Sequence, residues 1–246
     1  MSKKKSIEVC FSPISYPLFA NNEAIVVVID IFRATSAICT AIHHGVRGII
    51  PVATIQEAKE YQSKGFLAAA ERNGEIQEGF DMGNSPFSYM NEELKGKQIA
   101  LTTTNGTQAI AASKDAHKVV IGSFLNLTLL STWLENQNRD IILLCSGWKN
   151  KFNLEDTLFA GAVSQRLLSS GKFENSCDTT RAATILYENA KQDLFEFLGN
   201  SSHRSRLEKL NLEKDIRFCL ETDQTPVIPV LVNGILIKLE LSEVVV

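Results

Sequence analysis

The sequence predicts an α/β protein with three layers, α/β/α, built on a mostly parallel, mixed sheet with a C-terminal antiparallel hairpin. Short β-branched runs alternate with segments of helical spacing along most of the chain. This pattern is typical of a parallel sheet with helices on both faces. The run at residues 25–29 is apolar throughout, as expected of a strand that is covered on both faces. Asn233-Gly234 lies between two β-rich runs, which is the strongest short signal for a hairpin.

The first half of the chain alternates regularly between strands and helices. Apolar, β-branched composition predicts strands at residues 7–11, 25–29, 47–52, 66–70 and 98–101. After the second strand, the apolar positions within residues 37–42 have helical spacing, and Gly45 is a typical stop. Thr54 and Glu57 have the spacing of a capping box, which opens a helix that Gly65 closes.

The second half begins in the same way and then changes. We predict a helix that starts at residue 109, a strand at 119–122, a helix at 125–137 and a strand at 141–145. Three helices follow, at residues 153–170, 179–198 and 202–210. Asn153 is the candidate N-cap of the first of these helices, and Gly171 is its stop signal.

Composition limits the classes of function. A chain of 246 residues is long enough for one large α/β domain, and no linker or repeat marks a boundary, so we predict a single domain over residues 1–246. The net charge of −3 gives no general attraction to nucleic acid. The Lys3–Lys5 cluster precedes no apolar stretch that could serve as a signal peptide or membrane span. Five scattered cysteines without metal or redox spacing are typical of reduced thiols, which favours a cytoplasmic location.

Polar or small residues follow every predicted strand that leads into a helix. The strand ends carry Asp30, Glu71, Thr103-Thr104, Ser123 and Ser146-Gly147. In a mostly parallel sheet these residues lie along one edge, where ligands bind, so we predict an active-site cleft there.

The loop after residues 25–29 contains Asp30, Arg33 and Thr35 and leads into a helix. The N–H groups at a helix N-terminus suit a phosphate or carboxylate, which supports a functional role for this loop. The alternative is structural: Asp30 and Arg33 form a local ion pair, and Thr35 caps the helix.

The segment TTTNGT at residues 102–107 is a second candidate binding element. Its hydroxyl groups, its amide and its glycine precede a helix, where backbone and side-chain donors can hold an anion. It lacks the glycine spacing and the lysine of a Walker P-loop. The alternative is an elaborate turn with a threonine cap, although four consecutive donor-bearing residues exceed what a cap requires.

Glu155 and Asp156 fall in the first turn of a predicted helix, where the helix dipole favours negative charge. That is a sufficient structural explanation. However, neighbouring helical side chains diverge by about 100°, so one of the two can join Asp30 around a hard cation, which binds carboxylates and retains waters.

Several other enzyme classes fail on spacing or fit less well. A haloacid-dehalogenase-type phosphatase requires an aspartate where Phe32 stands, and a tyrosine-phosphatase loop starting at Cys145 requires an arginine where Lys151 stands. The four histidines have no zinc-like spacing. A cysteine hydrolase using Cys145 and a non-catalytic binder of anionic metabolites stay as alternatives, although paired carboxylates beside a phosphate site argue for a cation and against a simple binder.

Four motifs occur in a specific order: VIDIFRATS, EGFDMGNSP, TTTNGT and EDTLFAG. Together they resemble the 2-phosphosulfolactate phosphatase family, strongly over residues 25–161 and more weakly to the C-terminus. The resemblance implies an α/β/α fold and a Mg²⁺-dependent phosphatase of coenzyme M biosynthesis. Such an enzyme converts 2-phosphosulfolactate to 3-sulfolactate and phosphate. The sequence departs from the family at Asn73, where a glycine is usual, and at Phe32 and Ser36.

The resemblance also suggests roles for individual residues. Asp30, with Glu155 or Asp156, would hold Mg²⁺; Arg33 and the TTTNGT loop would hold the phosphate; Arg72 would hold the second anionic group of the substrate. The remaining candidate substrate-binding residues are Thr35, Glu71, Asn84, Ser85, Thr103, Thr104, Asn105, Gly106 and Thr107. We expect a small-molecule phosphoester as the partner, with neither nucleic acid nor membrane, and we allow for a homodimer.

Overall fold

The structure is a computed structural model that describes residues 4–240. Lys3 of the lysine cluster, and the last residue of the C-terminal β-rich run at position 241, lie outside the described residues. The described strands are β1 (Lys5–Cys10), β2 (Ile25–Ile29), β3 (Gly48–Pro51), β4 (Leu67–Arg72), β5 (Glu75–Ile76), β6 (Gln98–Thr102), β7 (Lys118–Gly122), β8 (Ile141–Cys145), β9 (Phe173–Asn175), β10 (Pro229–Val232) and β11 (Ile235–Lys238). All of them join one mixed sheet in the order β5-β4-β6-β3-β11-β10-β7-β2-β8-β1-β9.

The described α-helices are α1 (Ala34–His43), α2 (Ile55–Ser63), α3 (Gly106–Ser113), α4 (Leu127–Glu135), α5 (Leu154–Ser169), α6 (Asp178–Ala190), α7 (Leu194–Phe197), α8 (Ser202–Glu208) and α9 (Glu213–Leu220). Short 3₁₀ turns occupy Pro13–Leu18, Pro86–Tyr89, Glu92–Leu94 and Phe124–Asn126. The predicted α/β class, with a mostly parallel sheet between helices, is confirmed.

Strand β2 explains why the chain forms three layers. Its alternate side chains point to opposite faces of the sheet, and all five are buried. Ile25, Val27 and Ile29 pack in one core with residues of α4 and α5. Val26 and Val28 pack in a second core with residues of α1 and α3. A strand buried on both faces cannot show apolar–polar alternation, which accounts for the unbroken apolar run.

The sheet consists of two parallel blocks that the C-terminal hairpin joins. Strands β4, β6 and β3 form one block, and β7, β2, β8, β1 and β9 form the other. The hairpin β10–β11 inserts between β3 and β7 and pairs antiparallel with both. Asn233 and Gly234 both adopt positive φ at its turn, as a two-residue type I′ turn requires. The predicted hairpin is therefore confirmed, and it lies in the middle of the sheet.

Three antiparallel pairings lie between the two blocks, so the strands of one block run in the opposite direction to the strands of the other. We predicted that all the strand ends with polar residues lie along one edge of the sheet, and this holds only within each block. The loops after β2 and β6 nevertheless meet, because α3, which follows β6, packs against β2. A sheet of this many strands accumulates a large twist, which allows loops from the two blocks to approach one another.

Several boundaries differ from the prediction. The predicted helix at residues 179–198 is two helices, α6 and α7, because Asp193 caps a new helix by accepting a hydrogen bond from the Glu196 N–H. Helix α9 and the short strands β5 and β9 were not predicted. The capping box of Thr54 and Glu57 at the start of α2 is confirmed. Asn153 occupies the N-cap position of α5 but makes no capping hydrogen bond, since its amide donates to Glu155 instead.

Gly161, in the EDTLFAG motif, allows α5 and α6 to pack closely. A Cβ atom at this position would lie 2.1 Å from the carbonyl oxygen of Ala183. The glycine of that motif is thus explained by helix packing. None of the helices in residues 4–240 is long and apolar enough to cross a membrane.

Candidate active site

A pocket with about 350 Å³ of space between atoms, partly open to solvent, lies where the loops after β2, β4, β6 and β8 meet. The predicted site residues that line it are Asp30, Arg33, Glu71, Asn84 and Asn105. Helix α8 closes it with His203, Arg206 and Leu207, and the loop after β8 contributes Trp148. Strand ends of both blocks therefore form one pocket.

Asp30 lies at the end of β2, with 6% of its surface exposed. The turn that follows is closed by Thr35, whose hydroxyl accepts a hydrogen bond from the Asp30 N–H at 3.1 Å and whose own N–H donates to the Asp30 carbonyl at 2.9 Å. Burial raises the pKa of the Asp30 carboxyl to about 7. The nearby His203 lowers this pKa, whereas the charges of Glu71 and Glu155 raise it further.

Gly106 allows the Asp30 carboxylate to lie against the start of α3. A Cβ atom at position 106 would be 2.9 Å from Asp30 Oδ2 and 3.0 Å from the Ala34 Cβ. Any larger residue would therefore displace the carboxylate or the α1 helix. The glycine of TTTNGT is required by this close approach between the loops after β2 and β6.

Arg33 is buried and held by two acceptors. Its Nη1 donates to Asp215 Oδ1 at 2.7 Å, and its Nη2 donates to the Gly74 carbonyl oxygen at 2.7 Å. The ionic partner of Arg33 is therefore Asp215, on α9, and the alternative of a local ion pair with Asp30 does not describe this loop. Its Nε is buried and has no hydrogen-bond partner in residues 4–240. This N–H remains for a ligand.

Asp156 joins two loops through backbone hydrogen bonds. Its Oδ1 accepts from the Ile31 N–H at 2.9 Å, and its Oδ2 accepts from the Gly147 N–H at 3.1 Å. Burial raises the pKa of Asp156 well above its usual range, and the charges of Glu155 and Asp30 add to the increase. The geometry gives Asp156 a structural role, since it connects the loop after β2 to the loop after β8.

Glu155 holds the ring of His203. Its Oε1 lies 2.5 Å from His203 Nδ1 and also accepts from the Asn153 amide at 2.9 Å. Its Oε2 is buried without a hydrogen-bond partner among the described residues. Because Nδ1 is engaged by the carboxylate, Nε2 is the ring nitrogen left for a ligand in the pocket.

The threonines of TTTNGT mainly stabilise the loop itself. Thr103 Oγ1 accepts from the Thr107 N–H, and the Thr107 hydroxyl donates to the Thr103 carbonyl oxygen. Thr104 hydrogen-bonds to the Glu71 carboxylate, which also accepts from the Gly74 N–H at 2.5 Å. Asn105 lines the pocket and accepts from the backbone N–H of Lys149. The loop therefore contributes the Asn105 amide, at the start of α3, to the pocket, and its threonine hydroxyl groups are mostly used within the loop.

Seven predicted substrate-binding residues lie outside the pocket lining: Thr35, Arg72, Ser85, Thr103, Thr104, Gly106 and Thr107. Arg72 donates to the Glu71 carbonyl oxygen at 2.6 Å and to Thr102 Oγ1 at 2.9 Å, and burial lowers its pKa. Thr35 supports the turn at Asp30. Ser85 precedes the 3₁₀ turn Pro86–Tyr89. Its neighbour Asn84 lines the pocket, and the Asn84 Oδ1 atom is buried without a partner among the described residues.

Trp148, His203 and Arg206 belong to the pocket but were not predicted from the sequence. The Arg206 guanidinium stacks on the Trp148 ring, with Cζ 4.2 Å from the ring centroid. Its Nε and Nη2 are buried without hydrogen-bond partners among the described residues. Burial lowers the pKa of Arg206, and the charge of Glu155 raises it. No local pattern marks α8 as part of the site, because its contribution depends on how the helix folds back over the sheet.

The carboxylates do not form a complete metal cage. Across residues 4–240, no group of three or more His, Cys, Asp or Glu side chains is arranged to hold a metal ion. Mg²⁺ commonly binds through one or two carboxylates together with waters and substrate phosphate, so it does not need such a group. The oxygen donors of the pocket, the Asp30 carboxylate and the unpartnered Asn84 Oδ1, fit this chemistry.

Cys145 does not line the pocket. It is fully buried at the end of β8, and burial raises the pKa of its thiol well above the usual range, with a further increase from Asp156. Since the thiolate is the nucleophilic form, this environment argues against the alternative of a cysteine hydrolase.

The chain is similar to known proteins over most of its length. A family model described as 2-phosphosulpholactate phosphatase matches residues 10–234. A protein of Thermotoga petrophila named "Probable 2-phosphosulfolactate phosphatase" is 44% identical over 214 residues, which cover 87% of this chain and 92% of that protein. A protein of the same name from Caldanaerobacter subterraneus subsp. tengcongensis is 40% identical over 214 residues, covering 85% of this chain and 88% of its own.

Proposed function

The chain belongs to the 2-phosphosulfolactate phosphatase family, and from this premise we propose that it hydrolyses 2-phosphosulfolactate to 3-sulfolactate and phosphate with Mg²⁺ as its cofactor. One observation carries the proposal: the buried Asp30 lines the same pocket as Arg33 and Arg206, both of which have guanidinium nitrogens without hydrogen-bond partners among the described residues. The guanidinium groups suit an anionic substrate. The carboxylate would repel that substrate unless a cation lay between them.

Asp30 would hold the Mg²⁺, with the Asn84 amide oxygen as a second donor, and Glu155 Oε2 is a further buried acceptor without a partner in the described chain. The bound ion would polarise a phosphoryl oxygen and provide a nucleophile near neutral pH. Phosphate-monoester hydrolysis requires up to ~20 kcal/mol of barrier lowering, and a helix N-terminus supplies on the order of 1 kcal/mol. The need for a stronger source of positive charge supports the cofactor.

The side chains around Asp30 would orient the phosphate. Arg33 is fixed by Asp215 and by the Gly74 carbonyl through Nη1 and Nη2, so its Nε is the nitrogen that would donate to a phosphate oxygen. Asn105, at the start of α3, provides an amide at the opposite loop. Both groups are positioned before the substrate arrives, which is the arrangement that lowers a barrier most.

His203 is the proposed proton donor to the leaving oxygen. Glu155 holds its Nδ1, which leaves Nε2 as the ring nitrogen that would give up the proton. The alkoxide that leaves a phosphate monoester carries developing negative charge, and a positioned acid typically contributes about 10²- to 10⁴-fold.

The test is phosphate release from a panel of small phosphoesters, each measured with Mg²⁺ and with EDTA. We expect turnover of 2-phosphosulfolactate that EDTA abolishes and that added Mg²⁺ restores. Turnover that survives complete removal of divalent metal would contradict the cofactor. Tight binding of the panel members without turnover of any of them would favour the non-catalytic binder instead.

The proposal also covers the location of the enzyme in the cell and its oligomeric state. All five cysteines are free, as is typical of cytoplasmic proteins, and we propose a cytoplasmic enzyme on that basis. Assembly as a homodimer stays a prediction, which light scattering of the purified chain would test.

A further inference from the structure

We propose that Arg206, stacked on Trp148, binds the second anionic group of the substrate and thereby selects phosphoesters that carry an acid group besides the phosphate. The inference rests on the proposed function, because it assigns one part of the same pocket. It replaces Arg72 as the residue expected to hold that group.

The free atoms of Arg206 have a specific geometry. Nε and Nη2 lie on the same side of a guanidinium group, and both are buried without partners among the described residues. Their two N–H bonds are parallel, which matches two oxygens of one carboxylate or sulfonate. Nearby arginines are satisfied differently: Arg204 bonds Glu208 and the Phe195 carbonyl, and Arg33 bonds Asp215. Arg206 therefore presents an unused two-donor edge.

The stacking on Trp148 fixes this edge in place. The Arg206 Cζ lies 4.2 Å from the centre of the Trp148 ring, and the ring in turn packs against His203 with centroids 5.3 Å apart. A guanidinium held on an aromatic face loses little further rotamer freedom when it binds an anion. Buried polar donors without partners are costly, so the site favours an occupant that supplies acceptors.

The position of Arg206 separates it from the phosphate end of the pocket. Arg206 lines the pocket of Asp30 and also a neighbouring cavity, whose other walls include Phe152 and Ser201. Asp30 and Arg33 line the first pocket only. An anion on Arg206 would therefore sit at the junction of the two cavities, whereas the groups proposed to hold the phosphate line only the first.

Arg72 is less suited to this role. Its guanidinium already donates to the Glu71 carbonyl oxygen and to Thr102 Oγ1, and it does not line the pocket. A ligand could recruit it only by breaking those bonds. The Nε and Nη2 atoms of Arg206 have no hydrogen bonds to other described residues that a ligand would have to break.

The first experiment compares wild type, Arg206→Gln, Arg206→Lys and the control Arg217→Gln. Arg217 is an exposed arginine on α9 that pairs with Glu213 and lies outside both cavities. The substrates are 2-phosphosulfolactate, 2-phospholactate, which lacks the sulfonate, and the phosphate ester of 2-hydroxyethanesulfonate, which lacks the carboxylate.

For 2-phosphosulfolactate, Arg206→Gln should lower kcat/KM about 10- to 100-fold, the usual scale for a lost charge-assisted hydrogen bond. The loss should appear mainly in KM, and Arg206→Lys should recover only part of it because a lysine lacks the two-donor edge. The analogue without the group that Arg206 binds should show equal kcat/KM with wild type and Arg206→Gln. That analogue identifies the group as sulfonate or carboxylate. Arg217→Gln should behave as wild type throughout.

The second experiment measures binding without turnover. Calorimetry in Mg²⁺ with the two products, neither of which is turned over, should give a roughly tenfold or greater loss of 3-sulfolactate affinity in Arg206→Gln, with unchanged affinity for inorganic phosphate. Three results would overturn the assignment. In the first experiment these are an equal loss of kcat/KM on all three substrates, and a variant with the same substrate preference as wild type. In the second it is a loss of affinity for inorganic phosphate. If wild type binds 3-sulfolactate through Arg206 but releases no phosphate, the proposed function fails and the subsite stands. If wild type does not bind 3-sulfolactate, the subsite assignment fails too.

Discussion

Replacing Asp30 with asparagine should make the metal-free protein more stable at neutral and alkaline pH. The pKa of this buried carboxyl is raised from 3.8 to about 7, so the folded chain holds its proton more tightly than the unfolded chain does. Asparagine has the same shape and no charge to bury. The substitution therefore removes the free-energy cost of ionising Asp30 inside the protein.

The sign and size follow from that pKa. Below pH 3.8 the carboxyl is protonated in both states, and wild type and Asp30→Asn should be equally stable. As the pH rises from 3.8 through 7, the wild type loses stability relative to the variant. A difference of about three pH units between the two pKa values corresponds to about 4 kcal/mol. The variant should thus gain about 2 kcal/mol at pH 5 and about 4 kcal/mol at pH 8.

Urea unfolding in EDTA at pH 5, 6, 7 and 8, followed by circular dichroism, measures this difference. At 2–4 °C per kcal/mol for a chain of this size, the full effect corresponds to a rise in Tm of about 8–16 °C. The control is Asp115→Asn, which removes an exposed carboxyl and should change stability little at any pH. With Mg²⁺ present, the wild type should gain stability and Asp30→Asn should not. An Asp30→Asn protein that is less stable than wild type at pH 8 in EDTA would show that Asp30 is a structural partner and refute this reasoning.

Three further predictions concern other parts of the site. His203→Asn should lower kcat about 10²- to 10⁴-fold if the ring supplies the proton to the leaving oxygen. The loss should be much smaller on an aryl phosphate, whose leaving group needs no proton. Equal losses on alkyl and aryl esters would exclude that role. Gly106→Ala places a Cβ atom 2.9 Å from Asp30 Oδ2, so it should cost about 1–3 kcal/mol of stability and reduce activity; a fully active, fully stable variant would contradict the close approach of the two loops. Iodoacetamide should leave Cys145 unmodified and the activity intact in the native protein, because the thiol is buried and its pKa is raised. Loss of activity in proportion to the alkylation of Cys145, measured by mass spectrometry, would support the cysteine mechanism instead.

Local signals in the sequence were enough to predict the central strand and its neighbours. The β2 run, the loop to α1, the capping box of α2 and the Asn233-Gly234 hairpin all depend on residues close in sequence. The place of the hairpin was not predictable in this way. It pairs with β3 and β7 through Leu236–Ile49 and Val230–Val120, and such non-local pairings leave no local pattern.

The site residues divide in the same way between those with a local sequence signal and those placed by contacts between distant parts of the chain. Asp30, Glu71 and Asn105 were found because each lies at or just after the end of a strand, and all three line the pocket. The partner of Arg33 was missed because Asp215 lies 182 residues further along the chain. His203 was missed for the same reason, since it meets Glu155 only when α8 folds over α5.

The central claim is that the pocket around Asp30 hydrolyses a phosphoester, and phosphate release from 2-phosphosulfolactate in Mg²⁺ by wild type and Asp30→Asn tests it most directly. The account predicts turnover by wild type on the order of 1 s⁻¹ or faster, as for typical enzymes. It predicts a fall of at least about a thousandfold in the variant, in line with the loss of a residue that holds a catalytic cation. Turnover by Asp30→Asn at the wild-type rate, with the protein folded, would contradict it.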